Sequence, residues 1–310
     1  MALVEVKGLS KRYGDVQAVD NISFELREGE VFGLLGPNGA GKSTTINVLC
    51  TYTEPTAGVV TIDGHSVTAE PEVVKRIIGV VPQEIALYPD LDAMENLRFF
   101  GRMYDIPEAK LRTRSSELLE LVGLTEHAHR RVEHYSGGMK RRLNLAVGLL
   151  SEPRFLMLDE PTVGVDPQSR NAIFENIQAL NRQGVTVLYT THYMEEAELL
   201  CQRVAIMDRG RIIALDTPRN LIHTLGTGLI HVGVKSLDGE MLARLQALPR
   251  VKTVTRRDDT LAFETEDAQR ALLDIIGLFN ETDTAMTALE ILEPNLESVF
   301  IQLTGKQLRD

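Results

Sequence analysis

The sequence predicts an α/β protein: a mixed sheet core with an antiparallel β layer and a helical subdomain, followed by a small α+β domain in ferredoxin-like order. Three observations carry this. From residue 154 onward, apolar runs of strand length alternate with helical stretches, the pattern of a parallel sheet with crossover helices. A glycine-rich turn, "GPNGAGKST" at residues 36–44, joins the apolar strand "EVFGLL" to a helix. Beyond residue 225 the order becomes strand, helix, two strands, helix, strand.

Each element follows from its local pattern. "LVEVKGL" and "VQAVDNISFEL" read as strands of an antiparallel layer, and "GVVTIDG" and "IIGVVPQ" as further strands after the first helix. "AMENLRFFGRMY", "EAKLRTRSSELLELVGL" and "GMKRRLNLAVGLL" space their apolar residues as helices do and form a helical subdomain over about 84–150. Then come strand "RFLMLDE", helix "PQSRNAIFENIQALNRQG", strand "VTVLYTTH", helix "YMEEAELLCQ" and strand "RVAIMDRG". Glycines in "HTLGTG" interrupt the pattern and divide the chain into domains 1–225 and 226–310. The second domain reads as "LIHVGVK", "DGEMLARLQAL", "VKTVTRR", "TLAFETE" after a turn at Asp258 and Asp259, "DAQRALLDIIGLF" and "MTALEILE". A last helix after Pro294 aligns Leu296, Val299 and Phe300 in a stripe that could face its own domain, another subunit or a membrane chain.

Composition narrows the function. The 310 residues suit two domains at about 150 residues each. With 33 basic and 44 acidic residues the net charge is -11, which repels a polyphosphate backbone, so no nucleic-acid partner is expected. Cys50 and Cys201 form neither a disulfide framework nor a zinc motif. The N-terminus lacks the apolar core of a signal peptide, and the longest apolar runs fall well below the ~18 residues of a membrane span. A membrane role would need another chain to cross.

The turn at 36–44 fits G-x-x-x-x-G-K-[ST] in the required strand-to-helix context. Its residues Gly36, Pro37, Asn38, Gly39, Ala40, Gly41, Lys42, Ser43 and Thr44 form the expected phosphate site. The glycines let backbone amides face a polyphosphate, Lys42 supplies charge to the β and γ phosphates, and Ser43 can ligate magnesium. "RFLMLDEPT" delivers Asp159 and Glu160 to the end of a buried strand. Asp159 suits the magnesium shell, and Glu160 can orient or deprotonate a water attacking the γ phosphate. Alone, this would be only a strand ending in an acidic turn.

With "YSGGMKRR" at 135–142 the chain resembles the ATP-binding cassette ATPases, whose signature Leu-Ser-Gly-Gly-Gln opens a helix upstream of the acidic strand. Ser136, Gly137 and Gly138 match; Tyr135 and Met139 replace Leu and Gln, as in the drug and polysaccharide exporter branch of that family. By itself a serine before two glycines is more often an ordinary helix cap. The resemblance also implies that Tyr13 stacks on adenine, that Gln83 touches magnesium and the attacking water, that His192 bonds the γ phosphate, and that Asp166 belongs to the family's D-loop. Outside that pattern Tyr13 is equally an exposed turn residue, and a lone Gln83 or His192 carries no signal.

The resemblance, spanning residues 1 to about 220, implies an ATPase using ATP and Mg2+. It implies that two copies close face to face, so that the signature of one covers ATP on the phosphate loop of the other. The expected protein is therefore an ATP-bridged dimer driving export through a separate transmembrane permease, peripheral on the cytoplasmic face of the membrane. Residues Gln83 to Leu97, with apolar Leu87, Tyr88 and Leu91, would form part of the groove that receives the permease, unless they pack inside the helical subdomain. The C-terminal domain is expected to act in assembly or regulation, and its ending "LEPNLESVFIQLTG" resembles antibiotic-exporter ATPases. The alternative is a soluble cassette ATPase acting on nucleic acid or the ribosome; the long coiled coils and paired cassettes of those relatives are lacking. A GTPase is disfavoured because no N-K-x-D motif occurs.

Overall fold

The computed structural model describes residues 2–224 and, beyond them, 228–234, 237, 239–257, 259–265, 267–282, 284–292 and 295–305. The chain divides into two units, the first running through Thr217 and the second beginning at Pro218.

The first unit opens with β1 (Ala2–Tyr13), β2 (Val16–Arg27), β3 (Val31–Leu35), α1 (Lys42–Leu49), β4 (Ala57–Ile62), β5 (His65–Ser66), α2 (Pro71–Ile77) and β6 (Ile78–Val81). Helices α3 (Ala93–Met103), α4 (Glu108–Leu121) and α5 (Gly137–Gly148) follow. Then come β7 (Phe155–Asp159), α6 (Pro167–Arg182), β8 (Thr186–Thr191), α7 (Met194–Leu200), β9 (Arg203–Asp208) and β10 (Arg211–Asp216). Helix α2 and strand β10 go beyond the elements expected from sequence; both are short, six or seven residues, and offer little periodicity to read.

Two sheets build this unit. The larger has order β10-β9-β3-β8-β7-β6, parallel except for β10 against β9. Strands β3, β7 and β8 are buried at every position, as the unbroken apolar runs of β3 and β7 foretell. The smaller sheet has order β2-β1-β4-β5 and is antiparallel. It buries one face, with Ile22, Phe24 and Leu26 alternating inward along β2. Phe24 stacks on Phe32 of β3 at 5.5 Å between centroids, which ties the two sheets into one core.

The parallel register decides where function can lie. Leu35 pairs with Thr191, Asp159 with Thr190 and Val81 with Leu158, so the carboxyl ends of β3, β6, β7 and β8 open on one edge. Ligands of such sheets bind there.

The second unit comprises α8 (Pro218–Thr224), β11 (Gly228–Val234), α9 (Gly239–Gln246), β12 (Val251–Arg257), β13 (Thr260–Thr265), α10 (Ala268–Glu281), β14 (Met286–Leu292) and α11 (Leu296–Thr304). Its sheet has order β12-β13-β11-β14 with every neighbour antiparallel. The apolar faces of β11 and β13 pack with α9 and α10 around Phe263, Ile275 and Phe279. Leu296, Val299 and Phe300 are all buried, and α11 packs on α8, so of the three destinations open to that stripe the fold uses its own unit. The expected boundary at 225/226 and residues Asp258 and Pro294 lie outside the described residues. By contacts the division comes earlier, before α8, because α8 is a packing partner of α11.

Candidate nucleotide site

Strand β3 runs out at Gly36, whose φ is +150°; a Cβ there would sit 2.3 Å from the Met207 carbonyl oxygen, so the turn can pass β9 only as glycine. The chain then enters α1, whose free amides and dipole favour an anion. Lys42 folds back over the turn. Its buried ammonium donates to Gly36 O at 2.8 Å and Pro37 O at 3.2 Å and pairs with Glu160 Oε1 at 3.0 Å. Ser43 is exposed on the first turn of α1, and Thr45 behind it donates to Gly41 O at 2.9 Å.

Strand β7 ends on Asp159, and Glu160 follows it directly. Glu160 takes a left-handed backbone, φ +45°, a conformation that costs about 1–3 kcal/mol for a residue other than glycine. It is held there by its N–H, which donates to Thr190 O at 3.2 Å and Thr190 Oγ1 at 3.0 Å. The same Thr190 hydroxyl donates to Asp159 Oδ1 at 2.6 Å. One threonine on β8 therefore holds the Asp159 carboxylate and the Glu160 backbone together; sequence reasoning missed it, although the "TTH" run at the end of a strand was a signal.

The second oxygen of Glu160 is as crowded as the first. Gln83 Nε2 donates to Oε2 at 3.3 Å, and His192 Nδ1 stands 3.3 Å from the same atom, without the alignment of a hydrogen bond. Lys42, Gln83, Glu160 and His192 thus meet from four strand ends.

The Gln83 loop is tied to α5. Arg141 Nη1 donates to Pro82 O at 3.4 Å and to Gln83 O, and its Nη2 to Val163 O at 3.5 Å. Burial pulls the guanidinium pKa down, and the Glu160 charge opposes that shift. Asn144 donates to Pro82 O at 3.4 Å and accepts from Ala86 N at 3.3 Å. Neither residue was singled out in the sequence.

Ser136, Gly137, Gly138 and Asp166 make a second cluster. Ser136 caps α5, its hydroxyl accepting from Met139 N at 3.2 Å. Asp166 caps α6 by accepting from Ser169 N at 2.9 Å, and that hydrogen bond holds its carboxyl pKa down. A Cβ on Gly138 would lie 2.0 Å from Ser169 Oγ, so the two helix starts meet only because this residue is glycine. Tyr135, where Leu is usual, is buried and donates to His127 O at 2.6 Å. It anchors the turn to the helical subdomain, and burial raises its phenol pKa. Tyr13 ends β1 with 47% of its surface exposed and Lys11 Nζ 4.9 Å from its ring centroid.

A phosphate loop, paired acids at the next strand but one, and a capped serine-glycine helix start define a P-loop ATPase of the cassette class. The chain matches the ABC transporter family over residues 19–163. It is 43% identical to the linearmycin resistance ATP-binding protein LnrL of Bacillus subtilis, across 99% of this chain and 100% of that protein. It is 41% identical to the Nod factor export ATP-binding protein I of Ralstonia nicotianae, across 99% of this chain and 95% of that one. Among solved structures it resembles a dimeric ATP-binding cassette in a post-hydrolysis state bound to ADP and phosphate. That match has 27% identity and a TM-score of 0.63, over 69% of this chain and 98% of that one. The chain belongs to the ABC transporter family, as one of its ATP-binding ATPase subunits.

Proposed function

We propose that this chain powers an exporter as an ATP-bridged two-fold dimer beneath a separate membrane permease. The observation that carries the reading is the convergence of Lys42, Gln83 and His192 on the Glu160 carboxylate. Residues 36–41 with Lys42, Ser43 and Thr44 take the phosphates of ATP, and Tyr13 takes the adenine. Glu160 orients the attacking water and accepts its proton, with Gln83 and His192 beside its Oε2 to meet the water and the γ phosphate.

Magnesium fits the donor set. The Ser43 hydroxyl, the Gln83 amide oxygen and the Asp159 carboxylate are hard oxygen ligands of the kind Mg2+ prefers. Bound there, the ion would neutralise charge on the β and γ oxygens.

Ser136, Gly137 and Gly138, with Asp166 beside them, are the seat for ATP held by the other subunit. The chain has one phosphate loop and one such seat, and a similar cassette has a dimeric structure with ADP and phosphate bound, which supports a two-fold arrangement that completes both sites. Export is supported by the relatives that confer linearmycin resistance and export Nod factor. No helix among the described residues is long and apolar enough to cross a membrane. We place the chain peripherally at the cytoplasmic face, docked through the segment after Gln83. We read the second unit as ferredoxin-like, on its strand order and antiparallel pairing, with a role in assembly or regulation.

The test is Glu160→Gln. The amide still offers Lys42 an oxygen but cannot take a proton, so turnover of MgATP should fall by about a hundredfold or more while ATP binding persists. Size exclusion should then find the variant as a dimer with MgATP and a monomer without it. Wild-type turnover in the variant would remove Glu160 from the chemistry, and GTP preferred over ATP would defeat the assignment of adenine as the nucleobase.

A further inference from the structure

Behind the catalytic edge lies a second carboxylate that the hydrolytic reading does not use. Glu196, on the first turn of α7, is only 4% exposed. Three hydroxyls donate to its Oε2: Tyr189 at 2.8 Å, Thr191 at 2.8 Å and Thr162 at 3.0 Å. Its Oε1, also buried, has no hydrogen-bond partner. Leaving a buried acceptor unmade costs about 1–3 kcal/mol, so a structural purpose would be served better by an apolar residue than by this half-satisfied acid.

The donors come from two different places. Tyr189 and Thr191 belong to β8, whereas Thr162 lies in the turn that follows Glu160. That turn is closed by Val163 N donating to Glu160 O at 3.3 Å. On the other side, Thr191 directly precedes His192, and Tyr193 N donates back to Thr191 Oγ1 at 2.9 Å, so the histidine is bracketed by groups bound to Glu196 or to its partner. One oxygen therefore joins the segments that carry the two sides of the 3.3 Å contact between Glu160 Oε2 and His192 Nδ1.

We propose that Glu196 is a positioning residue for ATP hydrolysis: it clamps the turn after Glu160 to the His192 turn and so sets the spacing of base and histidine, without touching substrate. The proposal rests on the ATPase reading of the site. Steady-state kcat and KM for MgATP test it in the full chain. Thr162→Val keeps the side-chain shape and removes one arm of the clamp. It should lower kcat by about tenfold and leave KM within about twofold, because the phosphate loop with Lys42, and Tyr13, which hold most of the nucleotide, are left untouched. Glu196→Ala should do at least as much, and Glu196→Gln should restore most of the rate, since its carbonyl oxygen can still accept the hydroxyls.

A double-mutant cycle distinguishes positioning from general packing. In a His192→Ala background the spacing no longer matters, so the loss from Thr162→Val should shrink to less than about twofold. The melting temperature of Thr162→Val keeps the result interpretable if Glu196→Ala fails to fold. A folded Thr162→Val that turns over like the wild type, or that loses its full factor again without His192, overturns the proposal alone. A wild-type chain that hydrolysed no ATP would overturn both the proposal and the reading beneath it.

Discussion

At Glu160 the backbone is strained and the side chain is buried, so its orientation is imposed by neighbours rather than by local preference. The Lys42 pair supplies one constraint. Losing the carboxylate outright would strand a buried ammonium, a change that typically costs about 3–5 kcal/mol, which is why an amide rather than an alanine is the informative replacement. Thr190 supplies the other constraint, through its bonds to Glu160 N and Asp159 Oδ1. Thr190→Val preserves shape and deletes both. We expect a stability loss of about 1–2 kcal/mol in thermal or urea melts. We expect a larger relative loss in kcat than in ATP affinity, because Lys42 and the phosphate loop are untouched. An ATPase rate equal to wild type would mean that the Thr190 carbonyl alone suffices to hold Glu160.

Among the elements, α3 decides what the segment after Gln83 presents. The helix starts with a capping box, Asp92 accepting from Glu95 N at 2.7 Å while Asp92 N donates to Glu95 Oε2 at 2.9 Å. One turn in, the buried Asn96 accepts from Tyr88 N at 2.8 Å and donates to Tyr88 O at 3.0 Å and Asp92 O at 2.9 Å. The loop is thereby fixed without covering its aromatic ring. Leu87 and Leu91 are half-buried, but Tyr88 remains 45% exposed and meets Phe99 edge to face at 4.6 Å. Such a fixed aromatic patch is the surface through which the proposed permease would dock. Tyr88→Asp should reduce recovery of the chain with membranes from cells expressing the permease several-fold, while ATP binding by the purified chain is unchanged. Equal recovery would make the patch part of the helical subdomain alone.

For the molecule as a whole, the decisive question is whether the seat at Ser136 serves another copy. A guanidinium there would occupy the space meant for phosphate, so Ser136→Arg should damage the site of its partner, not its own. Ser136→Arg and Lys42→Ala should each be nearly inactive. Mixed in equal amounts under conditions that allow exchange, they should recover roughly a quarter of wild-type turnover. That fraction arises because half of the dimers are mixed and each has one working site of two. No recovery on mixing would argue that each chain works with its own signature.

Sequence alone settled what local chemistry can encode. The buried strands were legible because β3 and β7 are unbroken apolar runs, and the phosphate loop because glycine at 36 follows such a strand directly. Candidate site residues could be proposed from residue type and order along a family pattern, from Tyr13 through His192, and the fold brings four of them, Lys42, Gln83, Glu160 and His192, together. Short edge elements such as α2 and β10 gave too few residues for a period to emerge. What only tertiary structure decided is which groups share an atom. Gln83 and His192 reach Glu160, Arg141 reaches the Gln83 loop, and three hydroxyls reach Glu196 across as many as 34 positions of chain. The parallel register of β6, β7, β3 and β8 makes those meetings. A side chain's composition states which bonds it can make, but only the folded strand ends bring the partner to within 3 Å or so, and hydrogen bonding falls away beyond that distance.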